Sequence, residues 1–359
     1  MAGEGIEDIR KKIDALDEKL VKILNQRAGL GVKIAKVKSK SGDVVYHPAR
    51  EMEILEKVED LNKGPLSGEA VKSVFKEIFS ATRSVEQNLR IACLGPAGSF
   101  SHLAARGLIG PMAQYILEQG LDRVFKAVES GAAELGVVPI ENSIEGAIGQ
   151  TMDLFVNSPV KIHAESFYKV HLNLLSKVEK LEKVKVVYSQ YMPLGQCRGW
   201  LGRNLPGARI IETSSTAEAA IKAAKEKGAA AIGAKEMADI YGLPIRARNL
   251  EDRSGNQTRF LVISMKGSPP AGANKTSIVF STKDEPGALF KVLNPLDKKN
   301  INLSGIQSRP SPLREWEYMF FVDFMGSLES REVKWALEKM KPLTVFLKPL
   351  GSYPAAKRV

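Results

Sequence analysis

Residues 6–38 carry one hydrophobic pattern from end to end. Ile6, Ile9, Ile13, Leu16, Leu20, Ile23, Leu30, Ile34 and Val37 follow alternating steps of three and four, with Arg27 in the slot between Ile23 and Leu30. That is an a/d heptad seam, and its period predicts a single α-helix. At 1.5 Å per residue such a helix is roughly 50 Å long, too long for the first ninety or so residues to bury alone. The seam calls for a partner helix, expected from a second copy of the chain. Two shorter helices are expected near 48–62 and 67–89, separated by "NKGPLSG", so the N-terminal segment reads as all-α.

Arg27 is a cation on an apolar seam, which is costly without an anionic partner. Lys38 lies eleven residues further on, a rotation of about 20°, so the two share a face. Arg10 precedes Arg27 by seventeen residues and points about 100° away; an antiparallel partner chain could deliver it to the same place. Arg50 and Glu51 open the second helix, and Thr82 and Glu86, at i and i+4, share one face of the third.

From "NLRIACLGPAGSFSHLAARGLIG" onward strands and helices alternate to about residue 265. Strands are expected at 90–94, in "KVKVVYS", "ARIIET", "AAAIGA" and "TRFLVIS", with helices near 101–108, 122–131, 146–156, 193–202 and 216–227. Within this segment, Leu135, Val137, Val138 and Ile140 form a core strand that ends on Glu141, Asn142 and Ser143, with Gly146 and Gly149 close behind. Polar groups placed there face either solvent or a ligand, because burying them unpaired costs a few kcal/mol each. "GPAGSFS" joins a strand to a helix, so backbone N–H groups near Ser99 and Ser101 can hold a carboxylate. It lacks the Gly-Lys-Ser/Thr of a nucleotide loop. "KGSPPAGANKT" (266–276) reads as a linker. After it the order strand (277–282), helix (287–299), strands (301–308, 316–325), helix (329–340) and strand (344–350) is that of a ferredoxin-like module.

Composition narrows the function. Of 359 residues, 44 % are hydrophobic and 26 % charged, as in ordinary globular proteins, and no run reaches the length of a membrane span. The first twenty residues are charged throughout and hold no signal-peptide core, and two cysteines make no disulfide framework, so a cytoplasmic location is expected. The net charge of +11 divides as +2 over residues 1–90, +3 over 91–265 and +6 over 266–359, with no basic–aromatic block. Such diffuse basicity suits small acidic substrates, and no nucleic-acid or membrane partner is expected. The four histidines, His47, His102, His163 and His171, show no metal spacing.

Several motifs together resemble known families. "IRKKIDALDEKLVKILNQRAGLGVKIAKVKSK" with "HPAREMEIL" resembles the all-helical chorismate mutases. "RIACLGPAGSFSHLAA", "VVPIENSIEGAI" and "NQTRFLVI" resemble prephenate dehydratase, and "PGALF" and "SRP" (308–310) resemble the regulatory ACT domain. Their order is that of the bifunctional chorismate mutase–prephenate dehydratases of phenylalanine synthesis. The resemblance implies a multidomain chain: an all-α mutase (1–89), a two-lobed α/β dehydratase like periplasmic binding proteins (90–266) and an α+β ferredoxin-like ACT domain (275–359). It implies chorismate and prephenate as substrates, L-phenylalanine as effector, a homodimer or higher oligomer, and no cofactor or metal.

For the mutase, the resemblance implies that Arg27, Arg50 and a partner chain's Arg10 hold the carboxylates of chorismate. Lys38 would donate to the ether oxygen, Glu51 would accept from the ring hydroxyl, and Thr82 and Glu86 complete the site. Many relatives carry Gln at the position of Glu86, so Glu86 would have to act protonated. For the dehydratase it implies a cleft lined by Ser99, Ser101, Glu141, Asn142, Ser143, Gln196 and the triad Thr258, Arg259 and Phe260. Thr258 would give a proton to the departing hydroxyl, assisted by Glu141 or a relayed proton. For the last domain it implies phenylalanine binding near Gly287, Ala288, Leu289 and 307–310 (Gln307, Ser308, Arg309, Pro310), where Gln307 replaces the family's usual Glu. Two rival readings arise. A prephenate dehydrogenase would need a G-x-G-x-x-G after a strand, and none occurs. A non-catalytic amino-acid sensor could share these folds, but Arg27, Lys38, Glu51, Asn142 and Thr258 argue against it.

Overall fold

The computed structural model describes residues 5–38, 46–269, 272, 274–311 and 317–356, with Lys38 described by its backbone alone. The chain forms two compact units, one reaching Leu89 and including Ile109–Gln114, the other made of Arg90–Leu108 and Tyr115 onward.

In the first unit the heptad seam is one helix, α1 (Ile6–Lys38), followed by α2 (Pro48–Leu61) and α3 (Gly68–Glu86). Ser67 caps α3, accepting a hydrogen bond from the Ala70 N–H. The seam of α1 lies bare along the single chain: Ile13 is 50 %, Leu20 52 % and Leu30 60 % exposed. α1 meets α3 at the buried Gly31, where a Cβ would stand 2.7 Å from Thr82 Cγ2 and run into the Glu86 carboxylate.

The second unit opens with β1 (Arg90–Leu94), α4 (Phe100–Ile109), β2 (Gln114–Glu118), α5 (Leu121–Glu129), β3 (Leu135–Asn142), β4 (Gly146–Ala147), α6 (Gly149–Asn157) and β5 (Lys161–Lys169). It continues with β6 (Asn173–Ser176), β7 (Val186–Ser189), α7 (Tyr191–Gln196), α8 (Arg198–Asn204), β8 (Arg209–Glu212), α9 (Thr216–Lys225), β9 (Ala229–Gly233), α10 (Met237–Tyr241), β10 (Ile245–Ala247) and β11 (Gln257–Ser264). Two sheets result, ordered β2-β1-β3-β11-β5, with β4 on β3, and β10-β6-β9-β7-β8. The chain crosses between them twice, after β5 and before β11, and this makes two lobes. Both sheets mix parallel and antiparallel pairs: β3 is parallel to β1 and antiparallel to β11.

The rest is β12 (Lys275–Thr282), α11 (Ala288–Asp297), β13 (Leu303–Pro310), β14 (Tyr318–Met325), α12 (Arg331–Met340) and β15 (Thr344–Tyr353). Its antiparallel sheet, ordered β13-β14-β12-β15, is the expected ferredoxin-like arrangement. One face packs on α11 and α12 through Ile278, Phe280, Val292, Phe324 and Met340. The other face has no core of its own. Val279, Met319, Phe321, Leu350 and Tyr353 share one buried cluster with Phe125, Phe155, Leu261 and Ile263 of the first lobe. This common core is why three expected segments make two compact units.

Local differences from the sequence reading have physical causes. β5, "KIHAESFYK", is buried on both faces, with His163 and Glu165 on one and Ile162 and Ala164 on the other, so it shows no apolar run and no polar–apolar pattern of a half-exposed strand. The helix expected at 193–202 is two, broken at Cys197. The strand expected from 277 begins at Lys275, which is buried rather than part of a solvated linker. Cys93 and Cys197 are buried thiols, each pushed up to about 12 by burial.

Candidate active sites

In the helical unit, Arg27 of α1, Arg50 and Glu51 of α2, and Thr82, Arg83 and Glu86 of α3 line one cavity of about 300 Å³. Arg27 donates to Thr82 Oγ1 at 2.9 Å and lies 5.4 Å from the centre of the Phe79 ring. Thr82 donates in turn to the Ile78 carbonyl at 2.7 Å. The Glu51 carboxyl is raised above its ordinary range chiefly by burial, although the paired Arg83 guanidinium pulls it down. Arg50 pairs with Glu53 at 2.9 Å and is mostly exposed. Arg10 stands outside this lining, about 25 Å along α1 from Arg27 by helical rise. The Lys38 side chain lies outside the described residues. Sequence reasoning missed Arg83, which is buried and whose Nε has no hydrogen-bond partner among the described residues. The available signal was a cation four residues after Phe79, on the buried stripe of α3.

In the two-lobed part, the end of β3 meets the start of β11. Asn142 Nδ2 donates to Thr258 Oγ1 and to Asn256 Oδ1, both at 2.9 Å, while its Oδ1 accepts from the Ile144 and Glu145 N–H groups. Asn256 donates to Gln196 Oε1 at 2.8 Å, which joins the lobes, and Gln196 reaches Glu145 at 3.4 Å. Ser143 and Gln257 bind each other through backbone and hydroxyl. Thr258 Oγ1 accepts from Asn142, so its own hydrogen remains available for another acceptor. Asn256 and Glu145 were missed, although Asn256 opens the "NQTRFLVI" run.

Ser99 caps α4: its hydroxyl donates to the Leu94 carbonyl and accepts from the His102 N–H. His102 Nδ1 accepts from the Gly98 N–H, and burial first, then Arg106, lowers the pKa of its ring. The loop therefore spends part of its hydrogen bonding internally. Ser101 is buried.

Glu141, Arg259 and Phe260 do not join this cluster, which corrects the expectation for all three. Successive strand residues face opposite sides of a sheet. Asn142 pairs with Thr258 in register, and Glu141 pairs with Arg259. Glu141 and Arg259 accordingly line a cavity on the far face, with Gln307 and Asp323 of the C-terminal sheet. Phe260 is 2 % exposed and belongs to the interior.

In the C-terminal module, Gly287 has φ +76° and precedes α11, whose first residues Ala288 and Leu289 turn into the core. Gln307 and Arg309 on β13 face the first lobe, while Ser308 and Pro310 are exposed. Arg309 forms a two-pronged pair with Asp153 of α6 at 3.0 and 3.1 Å. Gly149 permits it, since any Cβ there would overlap the guanidinium. Residues 287–289 and 307–310 lie at the same end of the sheet, where Ser281, Met319 and Arg309 are cross-strand neighbours.

Comparison with known proteins decides the family. Residues 9–87 match chorismate mutase type II, residues 91–268 prephenate dehydratase and residues 276–341 the ACT domain. The bifunctional chorismate mutase/prephenate dehydratase of Aquifex aeolicus is 44 % identical over 98 % of this chain and 99 % of its own length. The chain belongs to the bifunctional chorismate mutase/prephenate dehydratases. The Escherichia coli K12 member is 34 % identical over 97 % of this chain and 95 % of its own. A solved prephenate dehydratase from Arthrobacter aurescens, in complex with L-Phe, superposes with a TM-score of 0.69 at 30 % identity, covering 76 % of this chain and 91 % of that one. As a bifunctional chorismate mutase/prephenate dehydratase, the chain is an enzyme with both activities, and the non-catalytic sensor is not favoured. Among the described residues no helix is long and apolar enough to cross a membrane.

Proposed function

We propose that this chain carries chorismate through prephenate to phenylpyruvate at two separate sites. In the helical unit Arg27 and Arg50, with Lys38 and a second chain's Arg10, hold the dianion of chorismate in a chair. A pericyclic rearrangement needs no nucleophile, only this preorganisation and stabilisation of charge on the breaking C–O bond. Glu51 accepts from the ring hydroxyl and Glu86 donates to the ether oxygen. The bare seam of α1 supports a homodimer that completes the site.

In the dehydratase the ring carboxylate leaves as CO2. Its electron pair enters the ring and expels the hydroxyl, which takes a proton and departs as water. Thr258 donates that proton and takes one back relayed from solvent, so the reaction consumes one proton overall, and the Asn142 N–H on its oxygen steadies the negative charge in between. Asn256 and Gln196 hold Asn142 and close the lobes. L-phenylalanine, bound in the related Arthrobacter aurescens structure, acts here as feedback inhibitor near Gly287–Leu289 and residues 307–310. Gln307 lacks the carboxylate usual there, so its coupling is weaker than with Gln307→Glu. Such a biosynthetic enzyme works in the cytoplasm.

The observation that carries the dehydratase assignment is the Asn142–Thr258 bond beside the junction of two lobes. The test supplies chorismate without any cofactor and follows prephenate and phenylpyruvate. Wild type should yield phenylpyruvate. Thr258→Ala should accumulate prephenate, with dehydratase turnover down roughly 10²–10⁴-fold and mutase turnover unchanged. Phenylpyruvate formed by Thr258→Ala at the wild-type rate would refute the assignment.

A further inference from the structure

Thr258 and Arg259 are consecutive on β11 and leave opposite faces of the first sheet. Arg259 is bound on all three nitrogens: Nε donates to Glu165 at 2.8 Å, Nη1 to Asp323 at 2.6 Å and Nη2 to the Tyr353 hydroxyl at 3.0 Å. Lys275 donates to both Glu165 oxygens, at 3.1 and 2.9 Å, and Ser277 bridges Asp323 and Tyr353. The side chains of Arg259, Glu165, Lys275 and Asp323 are 11 %, 1 %, 10 % and 15 % exposed, so two cations meet two carboxylates away from water. Arg259 and Glu165 sit on strands of the first lobe. Lys275, Ser277, Asp323 and Tyr353 belong to the C-terminal sheet.

A planar guanidinium bound in three directions fixes the backbone that carries it more tightly than a single contact does. Thr258 lies where that fixing matters on one side. β11 pairs with β5 in unbroken register from Gln257 to Val262, but its register on β3, the strand that brings Asn142, shifts between Arg259 and Phe260. A proton donor displaced by about 1 Å loses on the order of 10²-fold in rate.

We propose that Arg259 is a positioning residue of the dehydratase, through which Asp323 and Tyr353 of the C-terminal module hold Thr258 Oγ1 in place. The proposal rests on the reading of Thr258 as proton donor. It makes the C-terminal module part of the dehydratase site before any effector binds.

The test uses the full-length chain with four single variants, Thr258→Ala, Asp323→Asn, Tyr353→Phe and Arg259→Lys. Each is assayed on prephenate and on chorismate, with thermal unfolding recorded on the same preparation. Asp323→Asn should lower dehydratase kcat by about 10- to 100-fold while KM stays within about twofold and mutase activity is unchanged. Tyr353→Phe, which removes one hydroxyl and no charge, should lower kcat less and in the same way. Arg259→Lys keeps the charge but cannot reach three partners, and should also lose kcat. Full activity in Thr258→Ala would overturn the donor reading on which the proposal stands. With Thr258→Ala inactive, wild-type kcat in folded Asp323→Asn, Tyr353→Phe and Arg259→Lys would overturn the proposal alone. So would a loss confined to KM. If Asp323→Asn does not fold, the other two variants decide by the same criterion.

Discussion

Glu51 and Arg83 pose the sharpest question at the level of single residues. Burial raises the Glu51 carboxyl, and Arg83 opposes that rise. If Glu51 must be ionised to accept from the substrate hydroxyl, mutase kcat/KM falls as pH drops through the free enzyme's Glu51 pKa. The acid limb should therefore lie above the ordinary carboxylate range. Arg83→Met removes the opposing cation, so the limb should move to higher pH. A pH profile with an unmoved acid limb would show that Glu51 is not the group titrating. Asn142 stood out in the sequence because polar groups at a core strand's end need a reason to be there, whereas Gln196 and Thr258 entered only through the family resemblance. The placement of Glu141 and Arg259 was not legible, because alternation separates neighbours onto two faces without telling which face meets the cleft. Lys275 and Asp323 were invisible as a pair, since their partners Glu165 and Arg259 lie more than sixty residues away in the chain.

At the level of elements, α1 was the most readable part of the molecule: its period gave its extent and raised the expectation of a partner helix. Its bare Leu20 and Leu30 predict self-association. Leu20→Glu puts a charge on the seam and should shift sedimentation toward monomer. Mutase activity should fall with it by tenfold or more, on the order expected when a substrate-positioning cation is lost, and dehydratase activity should persist. A fully mutase-active monomer would refute the shared site. The contact of α1 with α3 was not readable, because Gly31 looks like any helical glycine until Thr82 and Glu86 are seen against it. β5 shows the same limit from the other side. A strand buried on both faces, with His163 and Glu165 between Ile162 and Ala164, gives neither an apolar run nor an inside–outside alternation that marks burial.

At the scale of the whole molecule, the sequence divides after residue 266 but the core does not. Leu261 and Ile263 of β11 pack in one cluster with Val279, Leu350 and Tyr353. Residues 90–359 should therefore unfold as one cooperative step, with calorimetric and van't Hoff enthalpies equal for that step. Two separable transitions within those residues would contradict the shared core. A chain ending at residue 269 would expose that apolar face and leave Glu165 and Arg259 without Lys275 and Asp323. Breaking such a buried pair costs about 3–5 kcal/mol, a large part of a typical domain's stability. The truncated chain should aggregate or lose its dehydratase, rather than become an effector-blind enzyme.

That shared core also limits how such a protein can be rearranged over time. A regulatory module joined by a linker alone could be exchanged between enzymes by recombination at the linker. This one brings only half of its own hydrophobic interior, so a transplant succeeds only where the recipient offers the matching side, here Phe155, Leu261 and Ile263 with Glu165 and Arg259 beside them. The portable cassette is the dehydratase together with its C-terminal sheet.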